Sequence, residues 1–453
     1  MNNNITPTST TARYYTLGCK LNFSETSTYR RGLMEHGIID APEGTPAGIC
    51  IINTCSVTGE ADHKCRQIIH RMVRENPGAF IVVTGCYAQL DAKDIAKIPG
   101  VSLVIGSEEK ARLVDKVLEL MNGLRTGDTK TGYNKDLVDE ELPSLKVKDF
   151  APSCSRGNRT RYWLKVQDGC NYFCTYCTIP FARGLSRNPT IESLVAQAEK
   201  AAEEGGKEIV ITGVNIGDFG RTTGEKFTDL VRALDGVEGI KRYRISSLEP
   251  DLISDELIEY CAHSRAFMPH FHIPLQSGSD TVLKLMHRRY DTALFAHKIN
   301  YIKKLMPEAF IGVDVMVGCR GEHPEHFKET YNFLDSLPVT QLHVFPYSER
   351  PGTKALDIPY IVDKAERKRR AHELIELSAR KLHGFYKEHI GQTAEVLFER
   401  AAEGKPMHGF TRNYIRVELP AEKASEAYDN EIIDVRLGNF NNEGNALVAD
   451  ITE

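Results

Sequence analysis

A chain of 453 residues, 41% hydrophobic and 26% charged, is too long for one ordinary core and has the balance of a globular protein of two or three domains. Its net charge of −5 excludes a general polyanion binder, so any nucleic-acid contact has to come from local basic patches. The first dozen residues, MNNNITPTSTTA, are polar, and no later run approaches the roughly 18 apolar residues of a membrane span, so a cytoplasmic protein with no membrane attachment is expected.

From residue 13 short apolar runs alternate with amphipathic ones: RYYTLGC, SETSTYRRGLMEHG, GICIINTC, ADHKCRQIIHRMVREN, AFIVVTGC, DAKDIAKI, VSLVIG and SEEKARLVDKVLELMNG. This βα alternation predicts an open parallel sheet with helices on both faces over residues 12–122. Ser24, just ahead of a helical pattern, suits an N-cap. Residues 123–155 lose the periodicity and gain Gly, Pro and charge, as a linker does. A second series then supplies six strands (RYWLKVQDG, EIVITGVN, RYRISSLE, PHFHIPLQ, FIGVDVMVG and QLHVFPYS) with helical patterns between them, which predicts a partial (β/α)6 barrel over 156–389. Its last helix, from about 363, carries the basic run ERKRR. Short alternating runs with Gly turns then predict a small five-stranded β-barrel over 390–453. Residues 391–453 hold 6 Lys/Arg against 12 Asp/Glu.

Eleven cysteines, an odd number scattered through strand-like runs, favour thiolate chemistry or metal binding over a disulfide framework. Cys19, Cys55 and Cys86 each sit just past a predicted strand, at the carboxyl edge where ligands bind in open α/β sheets; three buried strand-end cysteines are the plainer alternative. Cys170, Cys174 and Cys177 form C-x3-C-x2-C in the loop after the first barrel strand. A zinc site would need a fourth Cys or His at finger spacing, and no histidine lies between His70 and His263. Three thiolates on a four-iron cubane instead leave one iron free to bind something else.

The spacing C-x3-C-x2-C after a strand is similar to that of the radical S-adenosylmethionine (radical SAM) enzymes. Together, LGCKLNFSE, NTCSVT, VTGCYAQ, DGCNYFCTYCTIPFARG, ITGVNIGDFG, RISSLEP, HIPLQSGSD and HVFPYSERPGT resemble the methylthiotransferase family over about residues 12–453. The resemblance implies a flavodoxin-like first domain holding one [4Fe-4S] cluster on Cys19, Cys55 and Cys86. It also implies a radical SAM barrel holding a second on Cys170, Cys174 and Cys177, and a C-terminal TRAM domain. Within the family, GCK-x-N-x-x-E, NTC-x-VT and K-x-R-Q resemble the MtaB branch, which modifies N6-threonylcarbamoyladenosine beside the tRNA anticodon. Other branches act on isopentenyladenosine in tRNA or on an aspartate of a ribosomal protein. A zinc-stapled RNA-binding protein without catalysis is the alternative of a different class.

The family's chemistry implies SAM cleavage at the barrel cluster, removal of the adenine C2 hydrogen by the resulting radical, and sulfur from the first-domain cluster. An electron donor such as a flavodoxin or ferredoxin and an unspecified sulfur donor follow from it. In that frame Tyr176 packs near the SAM adenine, Gly213 permits close backbone approach, and Ser246, Glu249, Gln276 and Arg289 project from the ligand face. Val315, within VDVMVG, gives apolar support beneath the SAM adenine, a buried parallel strand being the plainer alternative. His287, Arg288, Arg289, the ERKRR helix, Arg66, Arg71 and Arg74 are candidate phosphate contacts. In HGFTRNYIRVEL, Phe410, Arg412 and Tyr414 are candidates to stack or clamp RNA. Cys65 is expected in mid-helix away from the strand ends, and Cys319 at a barrel strand end, where a redox role is open. Cys50, Cys154 and Cys261 are expected to be structural.

Overall fold

The computed structural model describes residues 11–125, 147, 150–156 and 160–452; the greater part of the expected linker lies outside the described residues. The first domain is built from β1 (Thr11–Thr16), α1 (Lys20–Glu35), β2 (Ile39–Asp40), β3 (Ile49–Thr54), α2 (Gly59–Glu75), β4 (Phe80–Gly85), α3 (Cys86–Leu90), α4 (Ala92–Ala96), β5 (Val101–Ile105) and α5 (Leu113–Arg125). Its sheet runs β2-β1-β3-β4-β5, the strand order of flavodoxin-like folds. Every residue of β3 and β4 is buried, as the runs ICIINT and FIVVTG require of parallel strands covered on both faces. Ser24 is not the N-cap of α1. The chain turns at Gly18, so the helix starts a turn earlier with Cys19 at its N-cap. Ser24 is buried within it, donating to the Trp163 carbonyl at 3.0 Å.

The second domain contains β6 (Cys154–Ser155), β7 (Tyr162–Lys165), α6 (Ile179–Arg183), α7 (Ile191–Glu203), β8 (Glu208–Thr212), α8 (Phe227–Asp235), β9 (Arg242–Ile245), α9 (Asp255–His263), β10 (His270–Gln276), α10 (Asp280–Leu285), α11 (Thr292–Leu305), β11 (Phe310–Val317), α12 (Pro324–Ser336), β12 (Gln341–Pro346) and α13 (Lys364–Lys387). Strands β7 to β12 form the expected six-stranded arc, with β9 and β10 joined by parallel bridges at Tyr243–Phe267 and Ser247–His272. Leu164, Ile211, Tyr243, Ile273, Val313 and Leu342 pack into the core beneath the helices. Successive side chains on a strand point to opposite faces, so their neighbours Trp163, Lys165, Arg244, His272, Asp314 and His343 turn to the concave side. A complete barrel fills that space with branched apolar side chains; here it is lined largely by charge and imidazole.

The third domain closes β13 (Thr393–Phe398), β14 (Met407–Thr411), β15 (Arg416–Leu419), β17 (Leu447–Ile451) and β16 (Ile432–Phe440) into a barrel, in that order. It sits against the amino ends of the larger barrel's strands. Arg242 donates to the Phe410 and Glu395 carbonyls at 2.9 and 3.0 Å, and Arg244 to the Arg412 and Thr411 carbonyls at 2.8 Å each. The Tyr414 ring lies 4.4 Å from that of His270 and 5.6 Å from that of Phe310, so it stops the lower end of the arc.

The first and second domains meet through buried charge. Glu25 on α1 accepts from Lys110, Lys165 and Arg183 at 2.8, 3.0 and 3.2 Å, while Asp168 accepts from Lys165, Arg183 and Arg187 at 2.7, 3.0 and 3.3 Å. None of the six is more than 4% exposed. The surrounding cations hold both carboxyls below the usual carboxylate range despite burial. Such a network is costly to break on one side because it strands a buried charge.

Glu25→Ala is therefore expected to cost about 3–5 kcal/mol, measured as a lowered urea midpoint. Because the folded pKa of Glu25 is depressed, its contribution is fully present above the unfolded glutamate pKa and is lost as pH falls through the folded value. Tyr414→Ala should speed proteolytic release of the third domain at residues 388–392; an unchanged time course would refute the stopper role.

Candidate functional site

The sheet registers set Thr16 beside Asn53 and Thr54 beside Gly85, so Cys19, Cys55 and Cys86 follow the carboxyl ends of three adjacent strands. Gly18 and Gly85 both hold φ 100°. A Cβ at Gly18 would lie 2.7 Å from the Cys55 Cβ, and one at Gly85 would lie 2.3 Å from the Thr54 carbonyl oxygen. The two Gly-Cys pairs are thus what lets the strand ends crowd together. Asn22, in the first turn of α1, donates to the Leu17 and Thr54 carbonyls at 2.7 and 3.0 Å and ties β1 to β3.

Burial pushes the Cys55 thiol up to about 12, and the charges of Cys86 and Cys19 push the same way. Burial also raises Cys86, against the pull of Arg183. Arg183 reaches this trio from the second domain, donating to Asn22 at 2.6 Å. Behind the cysteines, Lys110, Lys165, Arg183 and Arg187 face only two carboxylates, Glu25 and Asp168. The wall is electropositive, which suits thiolates held on a cluster. Among the described residues no three Cys, His, Asp or Glu groups converge on one point as single-ion ligands do; a cubane holds each thiolate on its own iron, so it asks for a ring of thiols rather than a common point.

The second trio occupies the loop leaving β7. Gln167 braces that loop, donating to the Asp168 and Gly169 carbonyls and to Ser186, and accepting from the Val214 and Asn215 amides. Each sulfur already receives a hydrogen bond: Tyr172 N–H to Cys170 Sγ at 3.4 Å, Ile179 N–H to Cys177 Sγ at 3.4 Å, and the Arg288 guanidinium to Cys174 Sγ at 3.2 Å. Donors aimed at sulfur favour thiolate over thiol and tune a cluster's potential. Burial, with the charge of the neighbouring Cys174, pushes Cys170 and Cys177 up to about 12; bound iron inverts that preference. This donor set fits a cluster with one open iron. α3, which begins at Cys86, packs on α6, which begins two residues after Cys177, so the two trios belong to one region.

The other sequence candidates divide. Glu249 pairs with Arg288 beside the second trio, and burial pushes its carboxyl up to about 7 against the pull of that guanidinium. Tyr176 is half-buried, its hydroxyl 3.5 Å from Arg288. Arg288, expected among phosphate contacts, is thus the arginine that meets a cysteine sulfur of this loop. Arg289 is exposed, donating to the Asn171 carbonyl at 2.8 Å and lying 4.1 Å above the Tyr172 ring. Ser246 is buried after β9, and Gln276 closes β10 at φ 67°. An added Cβ at Gly213 would lie 2.7 Å from Ile216 Cγ2 and 2.9 Å from the Gln167 carbonyl oxygen. Val315 faces the helices, packed in the outer core; strand alternation gives the concave side to Asp314 and Met316 instead, and Met316 packs with Tyr176.

Phe410 and Tyr414 are not an open stacking platform. Their rings stack on each other at 4.7 Å, and Arg161 covers Phe410 at 4.3 Å; of the three C-terminal candidates only the Arg412 side chain is exposed. Within ERKRR, Arg370 is buried on Glu322. Cys65 is in mid-helix as expected but not remote: α2 packs back along β3, and its thiol donates to the Cys55 carbonyl at 3.3 Å. Cys319 packs in an apolar cluster, and the charges that reach it are Glu322, Arg367 and Arg370 rather than either trio.

Sequence reasoning missed the residues that hold the trios in place. Arg350 reaches across to Asp62 and Ser56 at 2.6 and 2.8 Å, securing the Cys55 loop. Asn22 and Glu25 carried a signal, being polar residues one turn apart in GCKLNFSE, on one helix face. Phe173 and Phe181, both exposed, meet edge-to-face at 6.3 Å on the cysteine loop. They are the aromatic faces open to solvent there.

Two family models match the chain: the Radical SAM superfamily over residues 164–334 and "Uncharacterized protein family UPF0004" over residues 11–106. The Threonylcarbamoyladenosine tRNA methylthiotransferase MtaB of Bacillus subtilis (strain 168) is 38% identical, over 94% of this chain and 93% of that protein. A tRNA-2-methylthio-N(6)-dimethylallyladenosine synthase of Pelotomaculum thermopropionicum is 33% identical, over 85% of this chain and 86% of that protein. Among solved structures, the radical S-adenosylmethionine methyltransferase TsrM from Kitasatospora setae aligns over 77% of each chain with a TM-score of 0.55 and 14% identity, a likeness of fold. No helix among the described residues is long and apolar enough to cross a membrane. With both relatives matched nearly end to end, the chain belongs to the radical SAM methylthiotransferase family and is an enzyme of that type.

Proposed function

We propose that this protein methylthiolates C2 of N6-threonylcarbamoyladenosine next to the anticodon of tRNA, in the cytoplasm, using SAM and two [4Fe-4S] clusters. The observation that carries the reading is the pair of cysteine trios on separate domains, brought into one region by the Glu25–Lys165–Asp168–Arg183 network. The threonylcarbamoyl substrate is supported by the higher identity to the Bacillus relative, 38% against 33%, and by the motifs GCK-x-N-x-x-E and NTC-x-VT.

When bound, the barrel cluster and SAM supply the radical that activates an otherwise inert C–H bond, and the first-domain cluster supplies sulfur. The chain's own residues bind and position. Cys170, Cys174 and Cys177 hold the first of these clusters, and Cys19, Cys55 and Cys86 the second. Arg288 steadies the Cys174 sulfur while Glu249 neutralises Arg288. Tyr176, Ser246, Gln276 and Arg289 border the SAM site. Phe173 and Phe181 are placed to stack a base drawn out of its strand. The domains take the limits 12–122, 156–389 and 390–453, and a flavodoxin or ferredoxin supplies electrons.

Deleting the gene should remove 2-methylthio-N6-threonylcarbamoyladenosine from cellular tRNA and accumulate its unthiolated precursor, both read by nucleoside mass spectrometry; an unchanged level would sink the assignment. Anaerobically purified protein should hold about eight irons. Cys174→Ala should hold about four and make no 5′-deoxyadenosine. Cys55→Ala should also hold about four, still make 5′-deoxyadenosine, and give no methylthio product. Product from either variant would refute the corresponding ligand role.

A further inference from the structure

The concave side of the barrel holds a cation that the protein leaves uncompensated. Lys20, next to Cys19, points from the first domain across β7, its ammonium 5.6 Å from the centroid of the Trp163 ring. It remains accessible to solvent, yet the charges of Arg161, Asp314 and Arg244 on three barrel walls all reach it. Among the described residues no carboxylate stands within ion-pair distance of it. The carboxylates that line the same space are engaged elsewhere: Glu208 with Arg161 and Arg244 at 3.0 and 2.9 Å, and Asp314 with His272 at 2.7 Å.

The opposite wall is rich in donors. The His272 and His343 rings lie 5.0 Å apart, and the Ser247 hydroxyl is 3.4 Å from His272 Nδ1. Gly312 keeps the space before His343 clear, since an added Cβ would lie 3.4 Å from His343 Nε2. No apolar residue on β11 fills the lumen between Phe310 and Met316. A chamber lined this way disfavours a hydrocarbon group, which would leave its polar atoms unpaired.

We propose that this chamber is the specificity subsite for the N6 substituent of the target adenosine, with Lys20 pairing with a carboxylate on that substituent and His343 hydrogen-bonding its polar flank. This rests on the proposed threonylcarbamoyl substrate, whose N6 group carries a carboxylate and a hydroxyl where isopentenyl carries neither. The subsite selects by charge as well as by shape. An isopentenyl group would cover Lys20 without offering it an anionic partner.

The test compares two anticodon stem-loop RNAs, one carrying N6-threonylcarbamoyladenosine and one carrying its threonyl methyl ester, with binding followed by fluorescence anisotropy and turnover by mass spectrometry. Wild type should bind the acid RNA about 10- to 100-fold more tightly than the ester. Lys20→Met should remove most of that ratio by weakening the acid alone, in KM rather than kcat, and Lys20→Arg should restore part of it. Equal wild-type affinity for the two RNAs overturns the subsite without any variant, as does a Lys20→Met loss shared equally by both. Iron content separates a cluster-loading defect at neighbouring Cys19 from a specificity effect. If wild type methylthiolates neither RNA but accepts an isopentenyladenosine stem-loop, the proposed function itself has failed; if it accepts the acid RNA with an unchanged ratio in Lys20→Met, only the subsite has.

Discussion

Six charged side chains sealed between two domains set the geometry on which everything else depends. Glu25, Lys110, Lys165, Asp168, Arg183 and Arg187 come from α1, a one-turn helix before α5, β7, the cysteine loop, α6 and the segment that follows α6. Their excess of two positive charges faces Cys86 and Cys19, so the same groups that join the domains also prepare one face for anionic sulfur. A neutral apolar interface would join two domains as well. It would not fix a thiolate-bearing edge against a second set of thiols, nor set the charge at that edge.

The cysteine loops and their strands were legible because their constraints are local. Parallel strands covered on both faces read as apolar runs, and cysteines just past their ends stand at the carboxyl edge where ligands bind. What resisted reading was direction. Val315 and Asp314 are neighbours on one strand, and nothing in VDVMVG says which face meets the ligand until the helices are in place. Arg288 and Arg289 differ in the same way, one turned to Cys174 and the other resting on Tyr172. Phe410 and Tyr414 resist reading too, because an aromatic pair in this motif looks identical whether it meets a base or, as these rings do, another domain.

Polarity inside the barrel and incompleteness of the barrel go together. Six strands cannot close the space that eight fill with branched side chains, and a polar lining keeps such a gap from collapsing into a packed core. Arg161, Arg242 and Arg244 at the lower end are satisfied by carbonyls and carboxylates, several from the third domain. Four backbone carbonyls and one carboxylate of the terminal barrel, that of Glu399, thereby meet the arginines beneath the larger one.

Tyr414 at the bottom of the arc has a consequence for how the chamber works. With Tyr414 against His270 and Phe310 at the strands' amino ends, a substrate of the proposed kind would have to enter from the opposite ends, where the cysteine loop lies. The substrate then doubles as the door. Protection of a reactive radical from quenching would rest on the RNA that closes the vessel rather than on a moving protein flap, and a poorly seated RNA would leave the reaction ajar.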